Sequence, residues 1–228
     1  VAIHGAVANA ATWIPLQRAL GDDADVLAFD LPGHGTRRAE AFDLEAAIGA
    51  LTAMVVAEAA LRPTVVAGDS LGGYLALGVA ARAGYAVRGV IGGSCTFPMR
   101  GVAAAFARAT LVLDPLVPAG AIAAVIAHAC APDVAEAIRE RGLAPAMRGA
   151  TLRALLGRDV MRDVAGIVSP IVFISGTFDI PIAWYANTFA RAARDGRAVS
   201  VPRATHGVGL SHPEAFAAAA RALFAGGV

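Results

Sequence analysis

Gly68-Asp69-Ser70-Leu71-Gly72-Gly73 decides the fold, because it follows the apolar run Val65-Val66-Ala67 and opens a helix-compatible stretch over residues 74–83. That context predicts a strand, a sharp turn and a helix. A serine at such a turn sits on strained backbone that projects its Oγ clear of its neighbours. Glycines two before and two after it let strand and helix approach closely. Ser70 is therefore a candidate nucleophile. Moving the attacking role to Asp69 would put Ala67 and Leu71 at positions that must be small, and Leu71 fits poorly there. By itself a G-x-S-x-G pentapeptide is also an ordinary turn, since Gly and Ser are common turn formers.

The 228 residues suit one domain, with room for an inserted subdomain and a large core. A formal net charge of +1 provides no field to steer nucleic acid or acidic membranes. Hydrophobic residues make up 57% of the chain, but much of this is alanine, which suits closely packed helices. The most apolar segment, residues 119–127, is followed by His128 and Cys130 and is too short to span a bilayer, so no transmembrane helix is expected. Val1 already lies in a strand-like run, so further residues upstream are expected, and no cleavable leader pattern is visible. Cys95 and Cys130 are too few and too far apart for a disulfide scaffold or a zinc site, and read as small buried residues. A cytoplasmic monomer or homodimer is the expectation.

Short apolar β-branched runs over residues 1–4, 26–30, 65–68, 87–92, 171–175 and 198–201 alternate with longer stretches. The runs lack polar alternation, as strands buried on both faces do. Helices are predicted over 13–20, 43–61, 71–83, 181–194 and 213–224. Alternating β and α implies a mostly parallel central sheet with helices on both faces. Residues 96–167 break the pattern with several helical stretches punctuated by Pro98, Pro115, Pro118, Pro132 and Pro145. They read as a helical insertion between core segments 1–95 and 168–228. Its apolar residues Phe106, Leu111, Leu113, Leu116, Ile122, Val125, Ile126, Met147, Leu152, Leu155 and Met161 either pack on one another or line a cavity. Mutual packing is expected for most of them.

In open parallel sheets ligands bind beyond the carboxyl ends of the strands, which restricts the search for partners of Ser70. A serine hydroxyl needs a base, and imidazole titrates near neutral pH. His206 follows the last predicted strand directly, whereas His128 lies in the insertion and His212 precedes Pro213 at a helix start. His4 and His34 precede glycines in loops and suit structural hydrogen bonding. The imidazole needs a carboxylate to hold its tautomer. Asp179, in Gly176-Thr177-Phe178-Asp179 after the strand at 171–175, meets that need, with helix capping near Pro181 as its alternative. The oxyanion formed on attack requires fixed donors. The N–H of Leu71, at the start of the helix, is one, and the N–H of Ala6, after His4-Gly5, is the second. Gly68 to Gly73 lacks the lysine and the spacing of a nucleotide loop, and no metal-ligand spacing appears, so no cofactor and no metal are expected.

With Ser70, Asp179 and His206 in that order, the chain resembles the α/β-hydrolase superfamily, in particular its single-domain members with a helical cap. The resemblance runs along essentially the whole chain. It rests on His4-Gly5 with Trp13 downstream, on Asp30-Leu31-Pro32-Gly33-His34-Gly35, on the turn at Ser70, on Gly176 to Asp179, and on His206 followed by His212-Pro213-Glu214. It implies an eight-stranded sheet of which the last six strands are represented, and a cap over 96–167 that roofs the pocket and sets substrate choice. It also implies a mainly structural role for the Asp30–Gly35 loop. Phe178 departs from the acidic or polar residue common before the triad acid.

The implied activity is serine hydrolysis of a small to medium apolar carboxylic ester or lactone through an acyl-enzyme, as in esterases and enol-lactonases of that family. The only expected partner is that small-molecule acyl substrate, with no nucleic acid and no membrane. Carbon–carbon bond hydrolysis, thioester hydrolysis and cofactor-free lyase chemistry use a similar triad, and some members with a full triad are small-molecule receptors. Fold alone does not separate these activities.

Overall fold

Five of the apolar runs form one parallel sheet in the computed structural model, which describes residues 1–227. The strands are β1 (Ala2–Ile3), β2 (Val65–Asp69), β3 (Gly89–Gly93), β4 (Ile171–Gly176) and β5 (Gly196–Val201), lying side by side in that order. Helices α1 (Ile14–Leu20), α2 (Leu44–Leu61) and α3 (Leu71–Ala83) precede β3. Five more, α4 (Ala103–Leu113), α5 (Ala119–Ala129), α6 (Pro132–Arg141), α7 (Met147–Leu155) and α8 (Val160–Gly166), lie between β3 and β4 with no strand among them. Helix α9 (Ile182–Ala192) joins β4 to β5, and α10 (Val208–Ser211) and α11 (Pro213–Phe224) close the fold.

Strands β1 to β4 are buried at every position, which explains why they read as continuous apolar runs, whereas the edge strand β5 leaves Arg197 and Ser200 exposed. Side chains alternate along a strand. Val66, Val90, Ile171 and Phe173 accordingly meet α2, α3, α8 and α9 on one face. Val65, Ala67, Ile91, Val172 and Ile174 meet Trp13, α1 and α11 on the other. Helix α2 starts on Asp43, whose carboxylate accepts the Ala46 N–H at 2.7 Å.

Two expectations change. Residues 26–30 do not form a strand of the sheet: they contribute one bridge, Ala2 to Ala28, with the Ala2 N–H donating to the Leu27 carbonyl at 2.9 Å. The partner β1 is only two residues long before the chain turns at Gly5, so no longer ladder can form. In addition, α2 is long and apolar enough to cross a membrane, with a mean hydropathy of 1.7 over 18 residues. Here its apolar stripe of Leu44, Ile48, Leu51 and Val55 is buried against the sheet and α3, and the alanines on its outer side raise the hydropathy without adding bulk.

Candidate active site

Strand β2 ends at Asp69 and α3 begins at Leu71, so Ser70 alone makes the turn between them. It does so at φ +56° and ψ −119°, a region that costs a non-glycine residue about 1–3 kcal/mol. The Ser70 N–H donates to the Gly93 carbonyl at 2.8 Å, and the Ser70 carbonyl accepts from Gly73 at 3.0 Å and Tyr74 at 3.2 Å. These bonds hold the strained residue in place. A Cβ on Gly68 would stand 2.0 Å from the Gly72 carbonyl oxygen, and one on Gly72 would stand 1.9 Å from that of Ile3. Both obstacles are backbone, so relief requires moving β1 or α3. Gly72→Ala is expected to cost about 4 kcal/mol or more, measured as a shifted urea midpoint, because no side chain can yield.

His206 Nε2 lies 2.8 Å from Ser70 Oγ, and its Nδ1 lies 3.0 and 3.1 Å from the two carboxylate oxygens of Asp179. Asp179 accepts a hydrogen bond from Nδ1–H and so keeps the ring proton on Nδ1, which leaves Nε2 to accept the serine O–H. Asp179 is buried, and Pro181 rather than Asp179 is the capping residue of α9, so the helix-cap alternative does not describe its carboxylate. Burial would lower the His206 pKa. The hydrogen bond and charge of Asp179, together with the charge of Asp69, outweigh burial and raise it above that of a free imidazole. Half of the side chain remains accessible, and it faces the cavities described below. The other histidines do not approach Ser70 in this way: His128 is exposed and bonded to the Ala124 carbonyl within α5, and His212 is bonded to Ser211 Oγ.

Ala6 and Leu71 line the same cavity as Ser70, and among the described residues neither of their main-chain N–H groups has an acceptor. His4 orients the first of them. Its Nε2 accepts the Leu31 N–H at 3.0 Å, so its proton is on Nδ1, which donates to the Gly5 carbonyl at 2.8 Å. In a trans peptide the C=O and N–H point oppositely. Holding the Gly5 carbonyl therefore aims the Ala6 N–H away from His4. His34 Nε2 lies 2.8 Å from the Ala6 carbonyl, which adds a second anchor. Asp30 ties this loop down by accepting from Ala10 N at 2.9 Å, Thr36 N at 2.8 Å and Arg141 Nε of α6. A Cβ on Gly35, at φ +50°, would stand 2.4 Å from the Asp30 carboxylate, so the turn needs glycine.

Burial, helped by neighbouring His34, lowers the His4 pKa from 6.5 to about 4 against the opposing pull of the Gly5 carbonyl. The unfolded state therefore binds more protons than the folded one between these values. Stability falls as pH drops through that window, by about 3 kcal/mol from His4. Burial would raise the Asp30 carboxyl, but its hydrogen bonds from Ala10, Arg141 and Thr36 hold it well below the usual carboxylate range, which adds to acid lability in the same direction. Urea unfolding across this pH window, with His4→Gln removing the His4 share of the slope, checks the assignment.

Two cavities of about 410 Å³ each meet at Ser70, Ala6, His206 and Arg148. The first is walled by Phe97, Met99, Phe106, Leu152 and Leu155, the second by Trp13, Val117, Ile122, Val125 and Ile126. Six of the eleven apolar residues noted in the insertion (Phe106, Ile122, Val125, Ile126, Leu152 and Leu155) thus line cavities, against the expectation of mutual packing for most. Asp69 Oδ2 accepts the Gly209 N–H at 3.2 Å just beyond His206, while its buried Oδ1 has no hydrogen-bond partner among the described residues and burial raises the carboxyl pKa. The sequence motif indicates only that Asp69 neighbours Ser70. Its side-chain link to the His206 loop, and the positions of Tyr74, Ser94 and Arg148 in the first cavity, have no local signal.

Residues 1–219 match the sequence profile of the Alpha/beta hydrolase family. A search of curated protein sequences finds no match. Among solved structures, the chain is similar to E-2-(acetamidomethylene)succinate hydrolase (TM-score 0.77, 22% identity, covering 98% of this chain and 90% of that one). It is also similar to a thermophilic esterase from Thermogutta terrifontis (0.74, 22%, covering 98% and 88%) and to the enol-lactonase from Burkholderia xenovorans LB400 (0.74, 21%, covering 98% and 90%). At these identities the structural likeness is one of fold. Together with the profile match over nearly the whole sequence, it leads to one statement of kinship: this chain belongs to the alpha/beta hydrolase family.

Proposed function

We propose that the protein is a serine hydrolase that cleaves a carboxylic ester or lactone with apolar flanks through an acyl-enzyme. The observation that carries this is the relay from Ser70 Oγ to His206 Nε2 at 2.8 Å and from His206 Nδ1 to Asp179 at 3.0 Å. Ser70 attacks the acyl carbonyl while His206 takes its proton, then returns it to the departing alkoxide. Asp179 keeps the imidazole in the required tautomer and stabilises its charged form. The N–H groups of Ala6 and Leu71 meet the oxyanion, a contribution of several kcal/mol in the transition state. Water, activated by His206, releases the acid and restores Ser70. Residues 96–167 act as the cap, supplying most of the apolar walls against which the two sides of the substrate rest. The names of the esterase and enol-lactonase of like fold agree with acyl chemistry of this kind.

A fluorophosphonate probe combined with a p-nitrophenyl ester assay tests this reading. Labelling at Ser70 with sustained turnover is expected. Labelling without turnover would identify a receptor instead, and the absence of both would remove Ser70 from the chemistry.

A further inference from the structure

Among the described residues Arg148 is the one basic side chain other than His206 in the walls of either cavity, and it stands in both. It belongs to the first turn of α7, and the segment leading into α7 is bound to the loop beside Ser70 by the Ala144 N–H donating to the Val7 carbonyl at 2.9 Å. That link sets the guanidinium where the two chambers join. Its Nε bonds the Asp114 carboxylate, and its Nη2 bonds the Asp114 carbonyl at 2.7 Å. A guanidinium carries five N–H donors in a planar fork. Asp114 occupies one edge and holds the plane steady, while Nη1 makes no hydrogen bond among the described residues. Only 29% of the Arg148 side chain is accessible, and the walls of the two cavities it lines are mostly apolar. Donors so placed favour an anionic partner with two coplanar oxygens.

We propose that Arg148 is a specificity-determining residue that binds a carboxylate of the substrate, so that the preferred substrate is an ester or lactone with apolar flanks and one free acid group near the scissile carbonyl. This rests on the acyl chemistry proposed above. The mostly apolar walls suit hydrocarbon on either side of the carbonyl, and the arginine where they meet gives the site a preferred orientation for the acid.

Two matched ester pairs test the proposal on the intact chain. One pair places the acid on the acyl side (the mono-p-nitrophenyl ester of glutarate against p-nitrophenyl pentanoate). The other places it on the alcohol side (a carboxyphenyl acetate against phenyl acetate). The wild-type chain is expected to favour the anionic member of one pair by about ten- to a hundred-fold in kcat/KM, the range of a charge-assisted hydrogen bond in a sheltered site. Arg148→Gln should bring that ratio to near one, chiefly through KM. Arg148→Lys, which keeps the charge without the fork, should restore part of it, and Arg108→Gln, outside both cavities, should leave it unchanged. A wild-type ratio near one in both pairs overturns the proposal whether or not the variants fold, as does an Arg148→Gln ratio equal to the wild-type one. Turnover of the neutral esters by the wild type, and its loss in Ser70→Ala, reports separately on the acyl chemistry.

Discussion

Ser70→Ala is expected to lower kcat/KM for a p-nitrophenyl ester by about 10⁴-fold or more while leaving thermal unfolding within a few degrees of the wild type. The reason lies in what the substitution removes and what it leaves. Alanine has the same backbone demands as serine at φ +56°, and the main-chain bonds to Gly93, Gly73 and Tyr74 do not involve Oγ. The turn between β2 and α3 therefore survives. The attacking oxygen does not, and with it goes the 2.8 Å contact to His206 Nε2, so the base has no proton to accept. What remains are the Ala6 and Leu71 donors and the two cavities, which bind and polarise an acyl group without a nucleophile. Steady-state assays on freshly purified variant, with unfolding followed in parallel, separate loss of chemistry from loss of fold. Unchanged turnover would exclude Ser70 as the attacking group.

Asp179→Asn is expected to cost about 10⁴-fold in kcat, close to the serine variant, although only one oxygen becomes nitrogen. The amide NH₂ presents a donor to His206 Nδ1, which drives the ring to the tautomer with its proton on Nε2, facing Ser70. In that form the ring cannot accept the serine proton. The pH profile gives a second readout. With Asp179 present, its hydrogen bond and charge outweigh burial and hold the His206 pKa above the ordinary value near 6.5, so the acid limb of kcat/KM lies above that value. Once the carboxylate is neutralised, burial is opposed only by the charge of Asp69, and the residual activity should show its acid limb at lower pH. A limb that stays in place would assign the raised His206 pKa to Asp69 instead.

Much of this site is legible in the sequence, and for identifiable reasons. Gly68 and Gly72 were readable as spacing demands around Ser70, because strand-to-helix turns are local and the contact distances of 2.0 and 1.9 Å are consequences of that geometry. Asp179 and His206 were readable because each follows a strand, the first a fully buried apolar run and the second a shorter edge run over residues 198–201. Less was legible at the edge of the sheet, where residues 26–30 carry a strand-like composition but find only a two-residue partner. Nor does the sequence show whether α2 is a core helix or a membrane-compatible one, since alanine inflates its hydropathy and its burial depends on what packs against it.

Sequence by itself determined the alternation of strand and helix, the turn that exposes Ser70, and the order in which Ser70, Asp179 and His206 reach one edge of the sheet. Each of these follows from periodicity and turn chemistry within about ten residues, where the chain has few conformations to choose among. Only tertiary structure decided the proton position on His4, the link from Asp69 to Gly209, the side of the insertion that lines a cavity, and the placement of Arg148, bonded to Asp114, in the wall of a cavity that Ser70 also lines. Those contacts join residues tens of positions apart. Their geometry depends on how whole helices pack, which no short window of sequence contains.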